Sequence, residues 1–141
     1  MHAVHWSRRK PDWQLDLCPA QGIDLKPCGL WLSWDEDPDG WKAWCKAEAF
    51  ERGRVRTVFE VDEARLLCIR TLKEFDAFHR RFRAPTERFE GSFEGLDWGA
   101  VAKEAAGIVI RPYQPRRRFT PMWYYPWDCA SACVWDLSAV R

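Results

Sequence analysis

Gly29-Leu30-Trp31-Leu32-Ser33 carries the strongest strand signal near the start of the chain. It reads as a strand over residues 29–34 that leads into a Trp-rich helix. Residues 38–50 place Trp41, Trp44, Cys45 and Phe50 on roughly one helical face. Between the two, Asp35 to Gly40 is acidic and turn-rich, and an Asp there is expected to cap the helix. Working outward, Val4-His5-Trp6-Ser7 falls in a strand over residues 2–7. Ala132-Cys133-Val134-Trp135-Asp136 falls in a last strand over about residues 131–136.

The intervening chain supplies the other elements. Residues 8–28 hold Pro11, Pro19, Gly22 and Pro27 and read as a long loop with room for one helical turn. Residues 55–62 alternate, with Val55, Thr57, Phe59 and Val61 on one side and Arg56 and Glu60 among those on the other. Leu66 to Ile69 reads as a paired strand. Leu72, Phe75, Phe78 and Phe82 recur at helical spacing. Residues 83–96 are charged and loop-like. Residues 97–106 predict a short helix with Asp97 as N-cap, ended by Gly107, and Ile108-Val109-Ile110 predicts a strand. Residues 111–127 carry Pro112, Pro115, Pro121 and Pro126 and cannot be regular throughout. The order mixes strands and helices without βαβ alternation or a Gly-rich phosphate loop. It predicts one α+β domain over residues 1–141 with a sheet-rich core, and it argues against Rossmann and P-loop nucleotide sites.

A chain of 141 residues can bury a core without metal or disulfide staples. No apolar run approaches the roughly 20 residues that span a bilayer. A net charge of +1 argues against broad electrostatic binding to nucleic acid or membrane. The opening Met-His-Ala-Val-His-Trp does not read as a secretory leader. The six cysteines, Cys18, Cys28, Cys45, Cys68, Cys129 and Cys133, are therefore expected to be reduced, mostly buried thiols of a cytoplasmic protein. None forms a Cys-x-x-Cys pair; Cys129 and Cys133 offer a metal only a weak site, and no metal is expected. The ten tryptophans serve either a tightly packed core or an aromatic-walled cleft for a planar ligand.

Three phrases carry the functional reading. His5 in a strand, with the Ser7 hydroxyl two residues on, resembles the first motif of the histidine branch of the ADP-ribosyltransferase superfamily. Gly29-Leu30-Trp31-Leu32-Ser33 resembles that family's second motif, a Gly-x-aromatic strand followed by a helix. Ser131 to Leu137 resembles the third, in which a Glu opens an apolar strand; Ser131 stands at the Glu position. The resemblance implies a split β-sandwich with short flanking helices that clamps NAD as co-substrate. It implies that His5 positions the adenosine ribose, and that the Trp6 main chain and Ser33 hold the nicotinamide amide. Trp31 packs the ring, and Trp41 or Trp44 closes the sandwich. Serine cannot supply negative charge to an oxocarbenium ion, so Asp128 is a second candidate for the missing carboxylate. The implied reaction is transfer of ADP-ribose to a protein or nucleic-acid acceptor, and the implied biology is that of a toxin, phage or defence transferase.

Each phrase also has a plainer reading: His5 as a structural histidine at a strand end, Trp31 as one member of an in-out alternation. Two basic stretches remain. One is His79 to Arg83 with Arg88. The other is Arg111 to Phe119, where Tyr113, Arg116, Arg117 and Arg118 can grip an acceptor strand by phosphate contacts and stacking, or form a solvated loop. Glu60, Asp62 and Glu63 read as surface ion-pair partners rather than an acid–base pair. The rival to the transferase is a non-catalytic α+β module that holds RNA or a protein through the Arg/aromatic loop. A third reading is a structural or inhibitory protein whose tryptophans are all core.

Overall fold

A computed structural model describes residues 1–10, 19–86 and 93–141. The readings that involve Pro11, Cys18 and Arg88 lie outside the described residues. The architecture is α+β, with several small sheets and few helices. β1 (His2–Ser7) pairs antiparallel with β4 (Val55–Glu60), His2 opposite Glu60 and Ser7 opposite Val55. β2 is Ile23–Asp24 and β3 is Leu30–Leu32. β5 (Leu66–Ile69), β8 (Gly107–Ile110) and β9 (Ser131–Val134) join β3 in a four-stranded sheet of order β3-β9-β8-β5. Only β5 and β8 run parallel in it.

The central sheet is buried on both faces, and alternation sorts its side chains. Ile108 and Ile110 of β8 and Cys133 of β9 face one cluster, which includes Phe75, Phe78, Trp98, Trp123, Tyr124, Trp127 and Trp135. Val109, Ala132 and Val134 face the other, with Leu30, Leu32, Trp34, Phe59 and Val61. Trp31 therefore points to the opposite side from Leu30 and Leu32. Two glycines let strands approach closely: a Cβ at Gly29 would stand 2.5 Å from the Val134 carbonyl oxygen, and one at Gly107 would stand 2.7 Å from that of Cys133. Gly29 is thus a packing residue.

Among the described residues three α-helices flank the sheets. α1 spans Trp41–Ala47, α2 spans Leu72–Phe82 and α3 spans Trp98–Ala102. α2 begins with a capping box: Thr71 accepts from the Glu74 N–H, and the Glu74 carboxylate accepts from the Thr71 N–H. Its Phe75, Phe78 and Phe82 are buried, as their spacing predicts. Asp97 caps α3, accepting from the Ala100 N–H at 2.9 Å.

Three expectations need correction. No Asp caps α1: its N-cap is Gly40, where a Cβ would meet the Trp34 carbonyl at 2.5 Å, and the Asp39 carboxylate instead accepts from the Tyr113 N–H. The segment taken as loop over residues 83–96 contains β6 (Arg83–Thr86) and begins β7 (Phe93–Asp97). These pair antiparallel with each other, and β7 also pairs with β2, which lies in the segment taken as the first loop. Pro85 is admitted because β6 is an edge of its three-stranded sheet. The Pro-rich segment over residues 111–127 is irregular, broken by 3-10 turns at Pro115–Arg117 and Met122–Tyr124.

Candidate functional site

The β1–β4 ribbon meets the central sheet at one bridge. The Val4 N–H donates to the Ser33 carbonyl at 2.8 Å, and the Ser33 N–H donates to that of Val4 at 2.9 Å. Residues next to this bridge on both strands line a cavity of about 230 Å³: Val4, His5 and Trp6 from β1, and Trp31, Leu32 and Ser33 from β3 and its end. Trp41 of α1 adds a wall. Trp127, Asp128, Cys129 and Ser131 come from the approach to β9, and Lys26 from the loop before β3.

His5 links the two strands. Its Nδ1 lies 2.8 Å from the Trp31 carbonyl oxygen. In the neutral ring Nδ1–H must donate there, which assigns Nε2 as the acceptor nitrogen. The Trp6 indole N–H donates to Asp35 at 2.9 Å, and the Arg52 guanidinium covers its ring at 3.8 Å. Asp35 also takes Arg56 at 2.7 Å, and these two hydrogen bonds hold its carboxyl below the usual range against the opposing effect of burial. Trp6 is therefore fixed from outside the cavity.

Ser33 is more structural than the resemblance implies. Its hydroxyl donates to the Ala130 carbonyl at 2.9 Å and accepts from the Trp41 N–H at 2.8 Å, so it ties β3, the start of α1 and the approach to β9 together. Ser131 is buried and donates to the Cys129 carbonyl at 3.2 Å. Asp128 lies 3.7 Å from Arg118. Burial pushes the Cys129 thiol up to about 12, so it stays protonated.

The aromatic wall has an unexpected member. Trp31 meets Trp127 edge to face, with ring centroids 4.8 Å apart. Lys26 sits above Trp31 with Nζ 4.2 Å from the ring centroid, 6.0 Å from that of Trp127, and donates to the Pro126 carbonyl at 2.9 Å. Burial lowers the Lys26 ammonium pKa, and Asp128 opposes that shift. Trp127 is buried with its indole N–H unpaired among the described residues.

The cavity thus gathers His5, Trp6, Trp31, Ser33, Trp41, Asp128 and Ser131 from separate parts of the chain. Seven expected residues do not line it: Arg116, Arg117 and Arg118 of the Arg-rich loop, and Ser7, Gly29, Trp44 and Tyr113. Ser7 donates to the Arg9 carbonyl, and Gly29 packs against β9. Trp44 turns to stack on Trp41 at 5.1 Å and to meet Phe50. Tyr113 stacks on Tyr124 with its hydroxyl buried. Lys26, Trp127 and Cys129 carry no signal in the sequence, because each sits in a Pro-punctuated loop without periodicity.

The Arg-rich loop is largely paired. Arg117 forms a two-pronged contact with Asp76 at 2.7 and 2.8 Å, Arg118 faces Asp128, and Arg111 pairs with Asp37 at 2.6 Å. Arg116 is exposed, as are Phe119 and Tyr125, whose rings lie 5.9 Å apart. Among the described residues Cys28, Cys45, Cys68, Cys129 and Cys133 are free thiols. No group of three or more His, Cys, Asp or Glu there could hold a metal ion, and no helix is long and apolar enough to cross a membrane.

Comparison of the chain with protein-family models, with curated proteins and with solved structures finds no match.

Proposed function

We propose that the protein is an NAD-dependent mono-ADP-ribosyltransferase-like enzyme of split β-sandwich type, with the cavity as the seat of the nicotinamide end. The observation that carries this reading is convergence. Residues from all three motif-like phrases, His5 and Trp6, Trp31 and Ser33, and Ser131, line one cavity with an aromatic wall, and Asp128 joins them there. Its volume of about 230 Å³ is below the roughly 300–1,000 Å³ of pockets for drug-sized ligands. It suits the ring end of a dinucleotide, with the adenosine half running out past His5.

The residues fit NAD with one condition. The nicotinamide ring of NAD is cationic, and an ammonium on Lys26 would repel it across the Trp31 face. Burial lowers the Lys26 pKa, with Asp128 opposing, which lessens that repulsion. The ring then stacks on Trp31 beside Trp41, while the amide reaches the Trp6 main chain.

In the transfer step the bond from the ribose C1 to the nicotinamide nitrogen breaks, and its electron pair stays on nicotinamide. Charge develops on the ribose as an oxocarbenium ion. Asp128 is the carboxylate of the cavity and takes the stabilising role, with Ser131 offering a hydroxyl to the ribose. A nucleophilic protein or nucleic-acid acceptor then bonds to C1 and releases a proton. The exposed Arg116, Phe119 and Tyr125 form the acceptor-facing loop of this reading. They also support the rival, a module that holds RNA or protein without chemistry, although Arg117 and Arg118 are already engaged by carboxylates.

The test is nicotinamide release from NAD by the wild-type protein and by Asp128→Asn. Removing one stabilising group of this kind costs about 100-fold or more in kcat. The expected result is such a fall with NAD affinity nearly unchanged. Equal release by the two proteins would remove Asp128 from the chemistry.

A further inference from the structure

Lys26 stands apart from the other lysines. Lys10, Lys42, Lys46, Lys73 and Lys103 are exposed, whereas Lys26 is half-buried and lines the aromatic cavity. Its head lies against the Trp31 face, anchored by the Pro126 carbonyl. We propose that Lys26 is a nucleophilic amine that captures small planar aldehydes as an imine within this cavity. The inference does not depend on the NAD reading.

Three features support it. Trp31 and Trp127, packed edge to face, give the cavity an aromatic wall whose surface suits a flat conjugated ring. The volume of about 230 Å³ selects a compound of about one ring. A lysine desolvated in such a wall is a better nucleophile than one in water, because more of it is the free amine at a given pH.

The chemistry balances without an outside oxidant or reductant. The amine lone pair attacks the carbonyl carbon, the C–N bond forms, and the π electrons move to oxygen. The nitrogen gives up a proton and the oxygen gains one, exchanged through solvent water. The resulting carbinolamine loses water as its C–O bond breaks, leaving the imine. Overall, amine and aldehyde give imine and water.

The pH dependence follows from the groups around Lys26. Burial lowers its pKa, while Asp128, Cys129 and Cys133 act in the opposite direction. Both thiols are pushed up by their own burial and stay protonated, and Arg118 lies beside the carboxylate of Asp128. With the folded pKa below the ordinary lysine value, reactive amine appears at a lower pH than on exposed lysines.

The experiment uses benzaldehyde as the probe, with cyanoborohydride to fix any imine, on the folded full chain near pH 7. Peptide mapping then compares the lysines. Labelling at Lys26 is expected several-fold ahead of any exposed lysine, because burial lowers its pKa and the cavity holds the probe beside it. Benzamide, flat but not electrophilic, should slow that labelling and leave the others alone. Lys26→Arg should abolish the fast site while retaining a cation. Labelling spread evenly over the lysines, or Lys26 reacting only in denaturant, would overturn the proposal; the wild-type map decides this even if the variant folds poorly.

Discussion

Trp98→Ala is expected to cost about 3–5 kcal/mol of folding stability. Trp98 is fully buried at the start of α3. Its ring lies between Phe78 at 6.1 Å, Trp123 at 5.9 Å, Trp135 at 6.3 Å and Trp127 at 6.4 Å, and thus joins α2, the Met122–Tyr124 turn and the end of β9. Its indole N–H donates to the Asp24 carbonyl at 3.1 Å, which also ties down β2. Truncation removes the ring from all four partners and leaves a cavity that rigid aromatic neighbours cannot close. Domains of ordinary stability hold about 5–15 kcal/mol in all, so the variant should sit near the edge of folding. Urea unfolding followed by circular dichroism measures the loss. Trp98→Phe should lose less, because a ring remains. A loss below about 1 kcal/mol for Trp98→Ala would mean that the aromatic cluster is not the keystone of this core.

Trp31→Ala carries the second large effect, on binding rather than on the fold. Trp31 is only half-buried, on the cavity side of β3, while its neighbours Leu30 and Leu32 face the other core and hold the strand. Loss of a stacking aromatic costs about 1–3 kcal/mol per stacked ring, or roughly 5- to 150-fold in Kd. The substitution also removes the ring face on which the Lys26 head rests, which lets that head swing into the ligand's seat. NAD affinity measured by calorimetry should therefore fall at least about tenfold, with the unfolding midpoint moved little. Unchanged affinity would take Trp31 out of the binding site.

Where one strong pattern acted locally, the fold was legible in the chain. The helical spacing of Leu72, Phe75, Phe78 and Phe82 gave α2 its bounds, and Asp97 was readable as the cap of α3. The alternation from Val55 to Val61 placed Phe59 and Val61 in the core and left Arg56 and Glu60 outside. The failures share a cause. β2 and β6 are held by pairing with β7, a long-range contact that leaves no period in sequences as short as Ile23-Asp24 or as broken as Arg83-Ala84-Pro85-Thr86. The cap of α1 was missed because backbone crowding at Gly40, rather than hydrogen bonding by Asp, decides that position.

The site divides in the same way. His5, Trp31 and Ser131 stand in strands; the Val4–Ser33 bridge sets β1 beside β3, and the β3–β9 register puts Trp31 and Ser131 on one face, so they meet at one cavity. Lys26 and Trp127 arrive by irregular loops, and the packing of Trp31 on Trp127 and the Lys26 bond to the Pro126 carbonyl bring them to the same wall. Ser33 was legible as a polar group at a strand end, yet its hydroxyl bonds show it clamping three segments together.

Titration of NAD into the wild-type protein decides whether the dinucleotide sits between β1 and β3. Trp6, Trp31, Trp41 and Trp127 line the cavity, so indole fluorescence reports occupancy there. Nicotinamide release is measured in the same sample. The account predicts a saturable fluorescence change at NAD concentrations between about 1 μM and 1 mM, the usual span of substrate affinities, together with release of nicotinamide. No fluorescence change and no release up to the upper end of that range would contradict it.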